Sequence, residues 1–210
     1  MSPFRDGVTA TRDGTQLPDP FVALVTGAGR GIGKETALRF AREPGCQLVL
    51  VDRDEAPLQE LVRRLSVPSS WVAVDLTDAN APRRIRDHLV AKHNRLHVLV
   101  NNAGARWTAP FAEGGWENVR RTMAINFDAA VRLTEALLPI LRESSPSSIV
   151  NVSSLGGRMP RPGTGGYASS RPRSRPGRIV FLWRRRRAAC TSVSCCLASW
   201  SLRVFRKPSS

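Results

Sequence analysis

The 210-residue chain carries a glycine-rich run, Thr26-Gly27-Ala28-Gly29-Arg30-Gly31-Ile32-Gly33, at the end of the apolar segment Phe21–Thr26. Glycines between a strand and a helix let the backbone come close to a pyrophosphate. The helix that follows presents free N–H groups and the positive end of its dipole. The spacing is T-G-x-x-x-G-x-G; Ile32 stands where a G-x-G-x-x-G loop has its third glycine. Asp52 comes 19 residues after Gly33, at the end of a second apolar run, Gln47–Asp52. A carboxylate there accepts hydrogen bonds from an adenosine ribose 2′-OH and repels a 2′-phosphate. NAD is therefore expected in preference to NADP, with Arg30 and Arg53 as the cations that would pull the other way. Taken alone, the glycines also allow a turn without a ligand; the strand before, the helix after and the acid beyond argue against it. His88, His93 and His97 stand at no metal-ligand spacing, so structural or surface roles and no metal site are expected.

These residues need elements to hold them. Ile32–Arg42 has helical spacing, Leu58–Leu65 puts Leu58, Leu61, Val62 and Leu65 on one face, and Ile85–Ala91 lies in a basic amphipathic helix. Trp71–Asp75, Leu96–Val100 and Ser148–Val152 are further short apolar runs that read as strands, and Trp116–Leu141 reads as one long helix. Strands that are apolar throughout, alternating with helices, indicate a parallel sheet covered on both faces. The expected architecture is a doubly wound, three-layer α/β fold with five strands over residues 21–160. Residues 1–20 read as a loose leader with no apolar signal core, and no run approaches a membrane-spanning length, so a cytoplasmic address is expected and no membrane partner.

With these motifs in order, the chain resembles the short-chain dehydrogenase/reductase family over about residues 21–170. Beside the loop stand Asp75 after the third strand, with Leu76 next to it, and Asn101-Asn102-Ala103-Gly104 after the fourth. Asn126 lies in the long helix, Ser153-Ser154 follows the fifth strand, and Tyr167 comes 13 residues after Ser154. The resemblance implies a Rossmann-type domain and hydride transfer between a nicotinamide and an alcohol or carbonyl carbon. By the same resemblance Asp75 lies near the adenine, and Asn102, Ala103 and Gly104 line the cofactor cleft. Tyr167 matches the acid/base residue, Ser154 the serine that bonds the substrate oxygen, and Asn126 the residue whose backbone distortion holds a relay water. Family members often pair through the long helix and the Tyr-bearing helix, so a homo-oligomer is an expectation for the intact form.

The pattern breaks at position 171. The family's Y-x-x-x-K lysine, which stabilises the tyrosinate and holds the nicotinamide ribose, is here Arg171. A planar guanidinium keeps the charge but not the fit. From Arg171 to Ser210 there are ten Arg, one Lys and no Asp or Glu, so this stretch holds most of the formal net charge of +15. Pro172 and Pro176 interrupt the helix expected there. The abrupt shift reads as a frameshifted or misassigned end, leaving the sheet incomplete on its C-terminal side. Residues 172–210 are expected not to pack as part of the domain, with Ile179–Trp183 the one piece able to pair with an open sheet edge.

The leading expectation is a short-chain NAD(P)-dependent oxidoreductase by descent, acting on a small alcohol or carbonyl compound, with little activity in the chain as written. A catalytically dead relative that still holds dinucleotide is the alternative. A nucleic-acid binder working through the basic stretch ranks third. Its charge lacks a recognisable groove or stacking platform, so no specific nucleic-acid partner is expected.

Overall fold

A computed structural model describes residues 17–154, 156 and 162–171, together with the strand 192–195. Five strands alternate with helices as the apolar runs require: β1 (Phe21–Thr26), α1 (Gly31–Phe40), β2 (Cys46–Asp52), α2 (Glu55–Arg64), β3 (Ser69–Ala73), α3 (Ala81–Lys92), β4 (Val98–Asn101), α4 (Phe111–Met123), α5 (Ala129–Glu143), β5 (Ser148–Val152) and α6 (Gly165–Ser170). All described strand pairs are parallel, in the order β3-β2-β1-β4-β5 with β6 (Ser192–Cys195) beyond β5. The order reverses between β1 and β4, which opens a crevice at their carboxyl ends.

All six residues of β1 are buried. Val22 and Leu24 point to one layer, packing with Ile85 and Leu89 of α3 and Leu133 and Leu137 of α5. Phe21, Ala23 and Val25 point to the other, with Ala37 and Phe40 of α1 and Leu58 and Leu61 of α2. The alternation of a pleated strand thus feeds two cores, which is why its sequence is apolar without a polar phase. Among the described residues no helix is long and apolar enough to cross a membrane.

Four expectations need correction. The long helix is not continuous: a π-helical turn, Ala124–Asp128, separates α4 from α5. The third strand ends at Ala73, so Asp75 stands on the loop after it. Leu17, inside the stretch read as a leader, is buried at 7% exposure in the α1–α2 core. Finally, part of the basic stretch does join the sheet, since Ser192–Cys195 pairs with Ile149–Val152 of β5. The physical reason is the one anticipated for another segment: an open edge of unpaired N–H and C=O groups takes a strand. The segment that had been expected there, Ile179–Trp183, lies outside the described residues.

Candidate functional site

The glycine loop leaves β1 at the sheet's carboxyl edge, and β4 holds it there. Thr26 Oγ1 donates to Val100 O at 3.2 Å and accepts from Asn102 N at 2.9 Å and Ala103 N at 3.0 Å. The Asn102 side-chain amide donates to Thr26 O at 2.9 Å and Gly27 O at 3.3 Å. Asn102 therefore spends its side chain on fixing the loop. Two glycines are required by geometry. Gly27 has φ +65°, and a Cβ on Gly33 would lie 2.0 Å from Gly27 O and 2.6 Å from Asn102 Nδ2. Gly31 (φ +55°) faces open space on the outer side of the loop, and Ile32 beside it is 40% exposed. The loop is thus tight underneath and open above, the shape needed for an anion to rest on backbone N–H groups at the start of α1.

Asp52 closes one end of this cradle. Its Oδ2 accepts from Gly29 N at 2.9 Å, and its Oδ1 from Arg53 N at 2.8 Å. Arg30 and Arg53 are both engaged by Asp54, each at 3.5 Å. Sequence reasoning passed over Asp54; its signal was a second acid two residues past Asp52. Further along the edge, Asp75 Oδ1 accepts from Thr77 N at 2.8 Å and from Thr77 Oγ1 at 2.7 Å. These bonds hold its carboxyl below the usual range. Leu76 beside it is buried.

The other end of the crevice brings Asn126, Ser154, Tyr167 and Arg171 together. Asn126 sits in the π turn and is buried. Its Oδ1 accepts from Ala105 N at 2.9 Å, and its Nδ2 donates to Ala105 O and Ser170 Oγ, each at 2.9 Å. Gly156 lies between the two hydroxyl-bearing residues: its N donates to Ser154 Oγ at 3.2 Å, and a Cβ on it would meet Tyr167 Cε1 at 2.8 Å. Arg171 donates from Nη1 to Val152 O at 2.7 Å and from Nη2 to Asn126 Oδ1 at 3.1 Å. Its Cζ lies 5.8 Å from the centre of the Tyr167 ring. Its Nε is buried with no hydrogen-bond partner among the described residues; desolvation pulls the guanidinium below its ordinary range, and the neighbouring Tyr167 opposes that shift. Gly104 lies directly under this head, for a Cβ there would be 1.8 Å from Nη2.

The three histidines stand apart from the crevice, in structural contacts: His88 with Ser70 Oγ, His93 with Gln47 Oε1, and His97 accepting from Val22 N, each at 3.0 Å.

The chain is 36% identical over 148 residues to 1,6-dihydroxycyclohexa-2,4-diene-1-carboxylate dehydrogenase of Acinetobacter baylyi, a match covering 69% of this chain and 56% of that one. It is 31% identical over 157 residues to the uncharacterised oxidoreductase YciK of Escherichia coli, covering 71% and 62%. The chain thus spans a little over half the length of these two relatives. Among solved structures, a short chain dehydrogenase/reductase of Burkholderia phymatum in complex with NAD superposes with a TM-score of 0.68 at 28% identity, covering 72% of this chain and 55% of that one. An NAD⁺-bound xylitol dehydrogenase gives 0.68 at 30%, covering 73% and 60%. The short chain dehydrogenase family profile runs from residue 21 to residue 172, from the first residue of β1 to just past the Tyr167 helix, and the chain belongs to that family.

Proposed function

We propose that the chain holds a dinucleotide along the carboxyl edge of its sheet, NAD in preference to NADP, as an oxidoreductase site for small alcohols or carbonyl compounds. The observation that carries this is Asp52, whose carboxylate is fixed on Gly29 N at 2.9 Å, at the lip of the glycine loop. A carboxylate so held meets a ribose 2′-OH as an acceptor and a 2′-phosphate as a like charge. Arg30 and Arg53, the cations that would favour the phosphate, both lean on Asp54 instead. The NAD-bound relatives support the same reading.

The residues present fit the adenosine–pyrophosphate part of such a ligand. Thr26, Gly27, Gly31, Ile32 and Gly33 shape the pyrophosphate seat, Asp52 and Arg53 border the adenosine ribose, and Asp75 and Leu76 stand on the adenine side. Ala103 and Gly104 floor the other half. When bound, the nicotinamide supplies or takes the hydride. The chain's own part is to move a proton and steady an oxygen. Tyr167 Oη is the group assigned to proton transfer, Ser154 Oγ the donor to the substrate oxygen, and Asn126 the brace that ties the π turn to Ala105. Arg171 stands at the cationic position. Its head is tied to Val152 O and Asn126 Oδ1, where the family has a lysine ammonium, which favours a second reading, binding with little turnover. Residues 21–170 form the working unit in either case.

Titration of the full chain with NAD and NADP at one salt concentration tests the proposal. NAD is expected to bind more tightly, and Asp52→Ala to narrow the gap by about tenfold. Equal or tighter NADP binding by the unsubstituted chain overturns it. An alcohol screen with NAD separates the two readings, since rates of roughly 1 per second or more mark a working enzyme.

A further inference from the structure

The crevice has two halves, one over β1, β2 and β3 and one over β4 and β5. Dinucleotides lie across such a crevice, with one mononucleotide on each half. The first half is open, with none of the described residues in van der Waals range of the outer side of Gly31. The second half has an occupant from the chain itself. The Arg171 guanidinium rests on Gly104, 1.8 Å from where a Cβ would stand, and bonds across the carboxyl ends of β4 and β5 to Val152 O and to Asn126 Oδ1. Its Nε is buried and has no partner among the described residues, so the head is enclosed on that side too. A planar fork anchored at two points is a stiffer obstacle than an ammonium on a flexible stem.

We propose that Arg171 is an internal plug of the nicotinamide half, so that the chain recognises the adenosine diphosphate portion and gains little from the rest of the dinucleotide. The ligand class that this site favours is therefore an adenine nucleoside diphosphate. The inference rests on the reading of the glycine loop and Asp52 as an adenosine–pyrophosphate site. Seating the second ribose and its ring requires the guanidinium to leave both of its acceptors. Asn126 Oδ1 then retains Ala105 N, but Val152 O and Arg171 lose a charge-assisted bond. That loss offsets what the added half of the ligand would contribute.

Calorimetric titration of the full chain with ADP and with NAD tests this. ADP is expected to bind within about fivefold of NAD. In Arg171→Ala, NAD is expected to gain at least about tenfold over ADP, while ADP itself stays within about threefold of its original affinity. If NAD binds the original chain more than about fivefold tighter than ADP, the plug is refuted and the nucleotide-site reading stands. If neither ligand binds a chain whose circular dichroism shows a folded α/β protein, the nucleotide-site reading itself fails, and the plug with it. Should Arg171→Ala not fold, Arg171→Met keeps the bulk of the stem without the fork and is read the same way. An unchanged NAD-to-ADP ratio in a folded variant overturns the proposal.

Discussion

Acid should unfold this protein through His97, a residue that does no chemistry. Its Nδ1 accepts the Val22 N–H at 3.0 Å. Its own N donates to Val22 O at 2.9 Å, and its O accepts from Ser148 N at 2.7 Å. The residue thus ties β1 and β5 together at the start of β4. An acceptor at Nδ1 requires a neutral ring with its proton on Nε2. Burial, with a smaller push from Arg95, lowers the pKa from 6.5 to about 4. In the unfolded chain the imidazole takes up its proton near 6.5. Between these two values the unfolded state binds more protons, so stability is full above the upper value and is lost as pH falls towards the lower one. At 1.36 kcal/mol per pH unit the loss comes to about 3 kcal/mol. His97→Asn places an amide oxygen close to the Nδ1 position and cannot titrate. Urea unfolding of both proteins at about pH 7 and about pH 4.5 reads the difference. The original chain is expected to lose roughly 2–3 kcal/mol more than the variant over that interval. Contributions from His88, His93 and Asp75 are common to both proteins and cancel. Parallel losses, within about 0.5 kcal/mol, would refute the assignment of the neutral, Nε2-protonated ring.

Other expected outcomes follow from the loop. Gly33→Ala drives a methyl to 2.0 Å from Gly27 O. It should cost about 3 kcal/mol in urea unfolding and abolish nucleotide binding in any fraction that stays folded. Thr26→Val leaves Asn102 N and Ala103 N without their acceptor and should cost about 3 kcal/mol, whereas Thr26→Ser stays within about 1 kcal/mol of the original. A narrowed NAD preference in Asp52→Ala, measured by the same titrations that compare NAD with NADP, completes the set.

Much of this architecture was legible because strands and helices differ so clearly in this sequence. FVALVT and SIVNV became β1 and β5 with the bounds read from their apolar runs. The helix over Trp116–Leu141 was half right. Its buried positions Thr122 on α4 and Leu133 on α5 lie eleven residues apart, about three α-helical turns, so the spacing gives no sign of the π turn between them. Hydrophobic spacing alone does not reveal where such a turn sits. Asp54 was missed because an exposed acid two places past Asp52 has no apolar pattern to mark it; only the pairing with Arg30 and Arg53 gives it meaning. Arg171 was legible as a departure, yet its consequence was not. The identity of the residue says that a charge is kept. Only the contacts with Val152 and Asn126, and the closeness of Gly104, say where the head goes. Strand β6 lay beyond reach for a different reason: its pairing answers an open edge of the sheet rather than a strong local preference.

The π turn at Ala124–Asp128 lets this part of the chain carry an added residue without turning its two flanking helices against each other. A π turn holds one residue more than an α turn. Removing one residue here closes the π turn into an α turn and leaves the helices on either side close to their present register. Asn118 and Thr122 on α4, and Leu133 and Leu137 on α5, would then keep their buried faces. Asn126 would lose its aim at Ala105 in the same stroke. Phe127 and Asp128, both on the outside of the turn, can be exchanged at little cost. A one-residue deletion within 124–128 should therefore spare the packing of α4 and α5 and cost the chain only the aim of Asn126.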